Sequence, residues 1–516
     1  MSAGTWNETR ASTRIQRKLD NLPLDTIQIK QYVRETDLSD LAKNVAYRVD
    51  GVHVYADILN LGDLLQTTQI EGETCHRRVL RFLNLHYRAA SRILDGEKAM
   101  LIDFHNQRLH AVVPKPYDQE AARVQRAIAI GQLLIDVLAR TGEDADHPAA
   151  KVRVGIDTGT ALAVNNGRRG HTEPLFLGDP ANQAAKRAGG GSAEGIYLTN
   201  RARASIGLDT VEFEDSTALT VEQIAVSQEH AGLSGSADAV VEAWQKDLDA
   251  NPIGKFEFSG HTPPFANLDP ETLSAKNSRR QDAITLYADI DGFTKYVADR
   301  INDDEQAKHV VRTLRVLRSE LDAVLHEDFR GRKIRFIGDC IHGVLAEGTA
   351  QTTDAGASVS TMILCAGGMR SSFDLALTKL NQAGSDASCL GIQIGFEYGP
   401  ITVTRLGMKG GLIRCSVSRG TLAAEAEQGH CSGSETAIGP DAYSVGTEAA
   451  QAVFGPTRIR EGLTYAVALE ELSAKQDVTA KAVAAAASLL QPAVTPPDPY
   501  GFRNQPSGPV KLDGFA

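Results

Sequence analysis

The sequence predicts an α+β protein built from two copies of a ferredoxin-like βαββαβ domain. Two apolar runs, VHVYADILN at 52–60 and ITLYADIDG at 284–292, share the motif Tyr-Ala-Asp-Ile. Each is followed by a strand, a glycine-containing turn and a second strand, at 152–164 and 392–404. The motif aspartate precedes the first glycine of that pattern by 98 residues in one copy and by 106 in the other. A shared order at similar spacing is typical of a duplicated domain.

Helical spacing of apolar residues fills the interval after the first strand of each copy, at 76–94 and 305–326. The order of strand, helix, two strands, helix and strand predicts an antiparallel sheet with helices on one face. We place copy one at 46–267 and copy two at 281–475. The other expected segments are an N-terminal segment at 1–45, with one or two helices packed on copy one, a polar linker at 268–280, and an Ala-rich helix with a Pro/Gly tail at 476–516.

Composition narrows the possible partners. The 516 residues are 42% hydrophobic and 23% charged, which is ordinary for a globular protein of two or three domains. The formal net charge of −11 argues against a nucleic-acid partner but allows a nucleotide bound through metal ions. Six cysteines without a CxxC pair indicate reduced thiols. No apolar leader is visible and the most apolar run, 482–490, is too short to span a bilayer, so we expect a cytoplasmic protein with no membrane partner.

Two aspartates, Asp289 and Asp291, stand where a predicted buried strand ends and a helix begins. One interpretation is that they cap the helix. A second is a phosphatase resembling the haloacid dehalogenases, whose nucleophile loop also reads Asp-x-Asp-Gly, but that family needs a parallel sheet and a later acidic motif. Here the next acidic turn, FIGDC, places Asp339 only 50 residues after Asp289. A third interpretation is that neighbouring antiparallel strands bring Asp289 and Asp339 together, where they can hold two divalent cations.

The runs LYADIDGFT and RFIGDCIHGV together resemble the catalytic signature of class III nucleotidyl cyclases, and the resemblance covers most of both copies. It implies two cyclase domains packed as a pseudo-heterodimer. It also implies that Asp289, Asp339 and the Ile290 carbonyl contact two magnesium or manganese ions. One ion would lower the pKa of the ribose 3′-hydroxyl of a nucleoside triphosphate, which attacks the α-phosphate and expels pyrophosphate. The amides near Phe293 and Thr294, which begin the next helix, would then face the phosphates.

In this family the second half of the site comes from the partner domain, as a helix with the pattern Asn-x-x-x-Arg. Residues 176–190, FLGDPANQAAKRAGG, resemble that helix. Asn182 matches the asparagine, Lys186 stands at the arginine position, and Arg187 follows one residue later. A spacing of four places Asn182 and Lys186 on one helical face, whereas Arg187 is rotated by about 100°. Either cation is a candidate to stabilise the transition state, although lysine lacks the planar fork of arginine.

Each copy lacks the catalytic residues that the other copy keeps. Copy two has Thr421 and Glu425 where the asparagine and the cation belong. Copy one keeps Asp57 but has Gln107, within a residue or two, at the second metal position, with Asp103 nearby. The sequence therefore predicts one composite site per chain, which resembles the division of labour in tandem animal adenylate cyclases.

The preference for a substrate base is indicated by the absence of the residues that select purines in this family. Family members selective for purines carry a Lys/Asp or a Glu/Cys pair near the positions of Asp103 and Leu175, and neither pair is present. Tyr55, two residues before Asp57, would place a phenol in the pocket, or else be a structural core tyrosine. Lys409 matches a family position that contacts the terminal phosphates.

The tandem form, the tyrosine and the missing purine determinants resemble the pyrimidine cyclases of bacterial Pycsar antiphage defence. This resemblance implies a phosphorus–oxygen lyase that makes a cyclic nucleotide, with UTP preferred over CTP, and a separate cyclic-nucleotide-binding effector that reads the product. The alternatives are an adenylate or guanylate cyclase and a catalytically inactive tandem domain that senses a nucleotide.

Overall fold

The structure is a computed structural model that describes residues 4–34, 36–39, 41–166, 174–408 and 411–489, with side chains through residue 485. It contains one mixed sheet for each copy of the repeat, with helices packed on both. This architecture confirms the α+β fold class that the sequence predicts.

Copy one is organised around two long antiparallel strands. Its strands are β1 (Gln28–Gln31), β2 (Val45–Ile58), β3 (Met100–His105), β4 (Arg108–Val113), β5 (Val152–Asn165), β6 (Pro174–Leu177) and β7 (Gly195–Leu198). The helices up to the end of this copy are α1 (Glu8–Asp20), α2 (Leu61–Leu65), α3 (Thr68–Glu71), α4 (Glu73–Gly96), α5 (Glu120–Leu138), α6 (Asp179–Gly189), α7 (Asn200–Ser205), α8 (Val221–Ala231) and α9 (Ala237–Ala250). The strand order β3-β4-β2-β5 is that of a ferredoxin-like sheet.

Copy two repeats this plan. Its sheet contains β8 (Phe258–Ser259), which lies within the 46–267 range expected for copy one, and β9 (Ser278–Asp291), β10 (Arg332–Ile337), β11 (Cys340–Leu345), β12 (Gly391–Leu406), β13 (Ile413–Val417), β14 (Glu435–Ile438) and β15 (Ile459–Glu461). Its helices are α10 (Phe293–Ala298), α11 (Asp304–Ala323), α12 (Ala355–Gln382), α13 (Arg419–Gly429), α14 (Pro440–Val445), α15 (Glu448–Phe454), α16 (Tyr465–Ala474) and α17 (Val478–Leu489). The order β10-β11-β9-β12 matches that of copy one, strand for strand.

Alternation along β2 and β9 decides which side chains reach the site. In β9, Leu286, Ala288 and Ile290 are buried in the core of copy two. The intervening Tyr287 and Asp289 therefore point to the opposite face, because successive side chains of a strand alternate. In β2 the same alternation places Tyr55 and Asp57 on the face turned toward copy two.

The strand registers fix the correspondence between the copies. Ala56 pairs with Leu109 and Asp57 with Arg108, while Ala288 pairs with Ile341. Counting back along each hairpin places Gln107 at the position of Asp339 and Arg108 at the position of Cys340. The register thus supports the alignment of Gln107 with the second metal aspartate.

The two copies interlock reciprocally. Hydrophobic residues of β5 and β6, such as Leu162 and Leu177, pack in the core of copy two. Residues of β12 and β13, such as Leu406 and Val417, pack in the core of copy one. Each copy therefore places a strand pair against its partner, which is the pseudo-heterodimer that the resemblance implies.

The N-terminal helix α1 corrects one expectation. It packs mainly against α11 and α12 of copy two. The buried Arg14 pairs with Glu320 at 2.5 Å and with Asp328 at 2.9 Å, and Ile15 lies in the core of copy two. The prediction was wrong because a buried guanidinium needs carboxylate partners, and these lie about 300 residues away in the chain.

Between the copies, the expected linker at 268–280 consists of short 3₁₀ turns at Pro270–Thr272 and Ala275–Asn277, followed by the first residues of β9. Across the described ranges, no helix combines the length and the apolar character needed to cross a membrane.

Candidate active site

A cavity of about 330 Å³ lies between the two copies. Copy two contributes the carboxylates Asp289 and Asp339, and copy one contributes Tyr55 and Asn182. Further lining residues are Ile102, Asp103, His105, Arg108, His110, Leu175, Phe176, Tyr287, Cys340, Glu425 and Gln428. The fold thus brings together, in one cavity, residues that the sequence assigns to opposite halves of a composite site.

The two aspartates reach the cavity from neighbouring strands. Asp289 lies near the end of β9, and Asp339 lies in the tight turn between β10 and β11, where Gly338 has a φ of +59°. Burial raises the pKa of Asp289 to about 6. Burial, and then the negative charge of Asp289, raises the pKa of Asp339 well above its usual range. Two partly buried carboxylates that repel each other fit a site for divalent cations, because a cation removes this repulsion.

The carboxylates do not cap the following helix. The N-cap of α10 is Gly292, at a φ of +78°, and among the described residues no side chain makes a capping hydrogen bond there. Asp291 is exposed. Among the described residues, no three or more His, Cys, Asp or Glu side chains cluster so that they could hold a metal ion, so any cation here would rely on Asp289, Asp339, backbone oxygen and substrate.

Asn182 joins the two copies directly. It lies in the first turns of α6, and its Nδ2 donates a 2.9 Å hydrogen bond to Oγ1 of Thr294 in α10. The predicted residues Asn182 and Thr294 therefore meet across the interface. The neighbouring Phe293 is buried in the core of copy two, so only its backbone is available to a substrate.

The two candidate cationic side chains, Lys186 and Arg187, differ in exposure and in their ion pairs. Lys186 is exposed on α6. Arg187 pairs with Glu214 at 2.5 Å and with Asp215 at 3.1 Å, and these contacts hold it within copy one. Among the described residues that line the cavity, neither cation is included. Lys409 lies outside the described residues.

The packing of α6 and α13 gives their relative register. Tyr55 pairs with Gly155, and Tyr287 pairs with Gly395, so the two glycines are equivalent. A Cβ on Gly155 would collide with the carbonyl oxygen of Ala184, and one on Gly395 would lie 2.8 Å from that of Ala424. Each glycine thus lets a helix approach its strand at the same point.

This register corrects the predicted correspondence by one residue. Leu422 stands where copy one has Asn182, and Ala426 stands where it has Lys186. Thr421 and Glu425 each lie one residue earlier than predicted. The conclusion is unaffected, because copy two offers neither an amide nor a cation at these positions.

Copy one contributes an aromatic wall to the cavity. Tyr55 stacks on His110 with ring centroids 4.2 Å apart and an interplanar angle of 12°. Nε2 of His110 lies 3.0 Å from Nδ1 of His53, and Phe176 packs edge-on against both imidazoles. Burial lowers the pKa of His53 to about 3 and that of His110 well below its usual value, while burial raises the pKa of the Tyr55 phenol. The wall is therefore neutral near pH 7.

Tyr55 is not a sealed core residue. It is half-buried and lines the cavity, and its hydroxyl has no hydrogen-bond partner within the described ranges. Its counterpart in copy two, Tyr287, is 1% exposed, and its hydroxyl forms a 3.2 Å hydrogen bond with Nε2 of His105. The two equivalent tyrosines thus have different surroundings.

Sequence reasoning missed Arg108 and the ion pairs that join the two copies beside the cavity. Arg108 donates from Nε to Asp57 and from Nη1 to Glu425, at 3.2 Å in both cases. The carboxylate of Asp103 pairs with the buried Arg335 of copy two. Alignment of the two hairpins would have drawn attention to Arg108, since it stands at the position of Cys340. No sequence pattern near Arg108 or Glu425, however, indicates that the two residues form an ion pair.

Comparison with known proteins agrees with this geometry. No protein-family model matches the chain. A uridylate cyclase from Pseudomonas aeruginosa is 50% identical over 515 residues, covering 99% of each protein. A second uridylate cyclase, from a Rhizobium species, is 39% identical over 450 residues, covering 83% of each.

The chain belongs to the uridylate cyclase family. A crystal structure of a class III adenylyl cyclase-like ATP-binding protein from Pseudomonas aeruginosa is also similar, with 51% identity and a TM-score of 0.89, covering 91% of this chain and 100% of that one. These findings confirm the class III cyclase assignment and contradict the phosphatase interpretation. This cyclase is an enzyme that converts a nucleoside triphosphate to a cyclic nucleotide.

Proposed function

We propose that this cyclase converts UTP to 3′,5′-cyclic UMP and pyrophosphate at one composite site per chain. The observation that carries the proposal is the single cavity lined by the carboxylates of copy two and by Asn182, Tyr55 and His110 of copy one. The two relatives named uridylate cyclase support the choice of base.

Asp289, Asp339 and the Ile290 carbonyl are the proposed ligands of two magnesium or manganese ions. The mutual repulsion of the two carboxylates fits this role, since it is relieved when a cation binds between them. When bound, such ions supply charge that activates the ribose 3′-hydroxyl and stabilises the leaving pyrophosphate.

Copy one supplies the proposed donors that stabilise the transition state. The Asn182 amide is fixed by its hydrogen bond to Thr294, so it is preorganised without help from substrate. Lys186 is the better candidate for the cation, because Arg187 is already held by two carboxylates. Lys409 and the amides of Phe293 and Thr294 are further proposed contacts of the phosphates.

The base is proposed to stack beside Tyr55. The stacked rings of Tyr55 and His110, with Phe176, narrow the cavity, which favours the smaller pyrimidine ring. The free hydroxyl of Tyr55 can donate to a carbonyl of uracil. Asp103 lines the same cavity, and its carboxyl group pairs with the guanidinium of Arg335. A carboxylate accepts from the N3–H of uracil but has no donor to accept from at N3 of cytosine, which favours UTP over CTP.

An adenylate cyclase is the second candidate, because the similar crystal structure is described as an ATP-binding protein. Incubation of the pure protein with Mn²⁺ and each of four nucleoside triphosphates, followed by mass spectrometry, separates these functions. We expect cyclic UMP as the main product. Cyclic AMP as the main product would favour the second candidate, and no product from any nucleotide would favour the inactive sensor.

The cellular role is a proposal that rests on the Pycsar resemblance. We infer that the product is read by a separate cyclic-nucleotide-binding effector, in the cytoplasm, during antiphage signalling. Phage plating on cells that carry this cyclase together with a cyclic-nucleotide-binding effector tests the role, and loss of protection in Asp289→Ala cells is the expected outcome.

A further inference from the structure

The internal repeat creates a second half-site, related to the first by the pseudo-symmetry of the two copies. Asp57 occupies the position of Asp289, and Gln107 occupies that of Asp339. Leu422 takes the place of Asn182. This vacated half-site therefore keeps one carboxylate equivalent to a proposed metal ligand, Asp57, and lacks the second carboxylate and the asparagine.

Arg108 lies in this half-site between carboxylates from both copies. Its guanidinium contacts Asp57 of copy one and Glu425 of copy two at 3.2 Å each. The equivalent position of the active half is Cys340, an uncharged side chain next to the metal carboxylates. Arginine thus replaces a neutral residue at the point where the second metal carboxylate has been lost.

We propose that Arg108 acts as a built-in cation that takes the place of the metal in the vacated half-site, excludes ions and nucleotide from it, and ties the two copies together. The inference rests on the proposed metal role of Asp289 and Asp339.

The charges support this assignment. Asp57 is 6% exposed, and a buried carboxylate is costly unless a cation neutralises it. Arg108 supplies that cation and donates one hydrogen bond to Asp57, so a divalent ion at Asp57 would have to displace the guanidinium and would gain only one carboxylate. Glu425 would also be left unpaired in the cavity. The balance therefore favours the guanidinium over a metal ion.

The arrangement also joins the copies mechanically. Glu425 lies on α13, whereas Asp57 and Arg108 lie on β2 and β4. Glu425 lies 3.9 Å from His105, which in turn hydrogen bonds with Tyr287. These contacts run from copy one to copy two along the cavity, so Arg108 is proposed to act by positioning the two halves of the site.

Binding of Mn²⁺, measured by electron paramagnetic resonance without nucleotide, tests the exclusion. We expect wild-type protein to bind Mn²⁺ and the Asp289→Asn variant to lose this binding. Adding Gln107→Asp and Arg108→Cys to Asp289→Asn gives copy one the residues of the active half, and this triple variant should bind Mn²⁺ again. The restored binding should disappear with Asp57→Asn. The inference is overturned if Asp289→Asn alone retains Mn²⁺ that Asp57→Asn removes, or if the restored variant folds and binds none.

Thermal unfolding of a double-mutant cycle gives a second test that does not depend on metal. Arg108→Met and Glu425→Gln should each lower Tm, and the double variant should lose no more than the larger single loss, because both remove one contact. Additive losses would contradict the tie between the copies. If wild-type protein binds no Mn²⁺ while the cycle shows coupling, the proposed metal site fails and the tie stands.

Discussion

The Tyr55 hydroxyl is the group on which the proposed base selection depends most. Tyr55→Phe keeps the ring that stacks on His110 at 4.2 Å, so the shape of the wall is preserved. The hydroxyl has no partner in the described part of the protein, and its removal therefore affects only the contact with the base. An unpaired uracil carbonyl costs about 1–3 kcal/mol, which converts to a loss of about 5-fold to 140-fold in kcat/KM for UTP.

The assay is competition between UTP and ATP at equal concentration, with both cyclic products counted by mass spectrometry. Tyr287→Phe is the matched control, because Tyr287 is the equivalent residue of copy two and its hydroxyl bonds with His105 instead. This control should lose about 1 kcal/mol of unfolding free energy and leave the product ratio unchanged. If Tyr55→Phe discriminates between the bases as well as wild type does, the hydroxyl does not read the base and the reasoning is refuted.

Three further outcomes are expected. Asn182→Ala should lower kcat by about 10²–10³-fold with little change in KM, since a preorganised donor is lost; steady-state kinetics that show only a KM effect would contradict this. In metal-free protein, the raised pKa of Asp289, about 6, means that its ionised form opposes folding, so Tm should rise as pH falls from 7 toward 5. Asp289→Asn should show a smaller rise, and equal rises in both proteins would exclude Asp289 as the cause. Asp103→Asn should increase use of CTP relative to UTP, because an amide can donate to N3 of cytosine; an unchanged ratio would exclude Asp103 from base contact.

Much of the site followed from the repeat. Because β2 and β9 carry the same motif, the sequence alone placed Tyr55, Asp57 and Asp289 on equivalent faces. Alignment of the two copies then set Gln107, within a residue or two, against the second metal aspartate. These predictions rest on short-range periodicity, which a sequence displays directly.

The parts that sequence reasoning missed depend on contacts between distant segments. The partner of Arg108 lies 317 residues away, and no local pattern links the two. The same is true of α1, whose buried Arg14 finds Glu320 in the other copy. The one-residue error in α13 has a different cause, since helix register depends on how closely Gly395 lets the helix approach, and that is a property of packing.

Turnover of UTP by Asp289→Asn and Asp57→Asn, measured as cyclic UMP under one set of conditions, tests the composite site most directly. The two aspartates are equivalent in the repeat, so each variant is the control for the other. We expect Asp289→Asn to make no product above background and Asp57→Asn to keep most of the wild-type rate. Equal losses in the two variants would show that both half-sites work, and would contradict a single site shared between the copies.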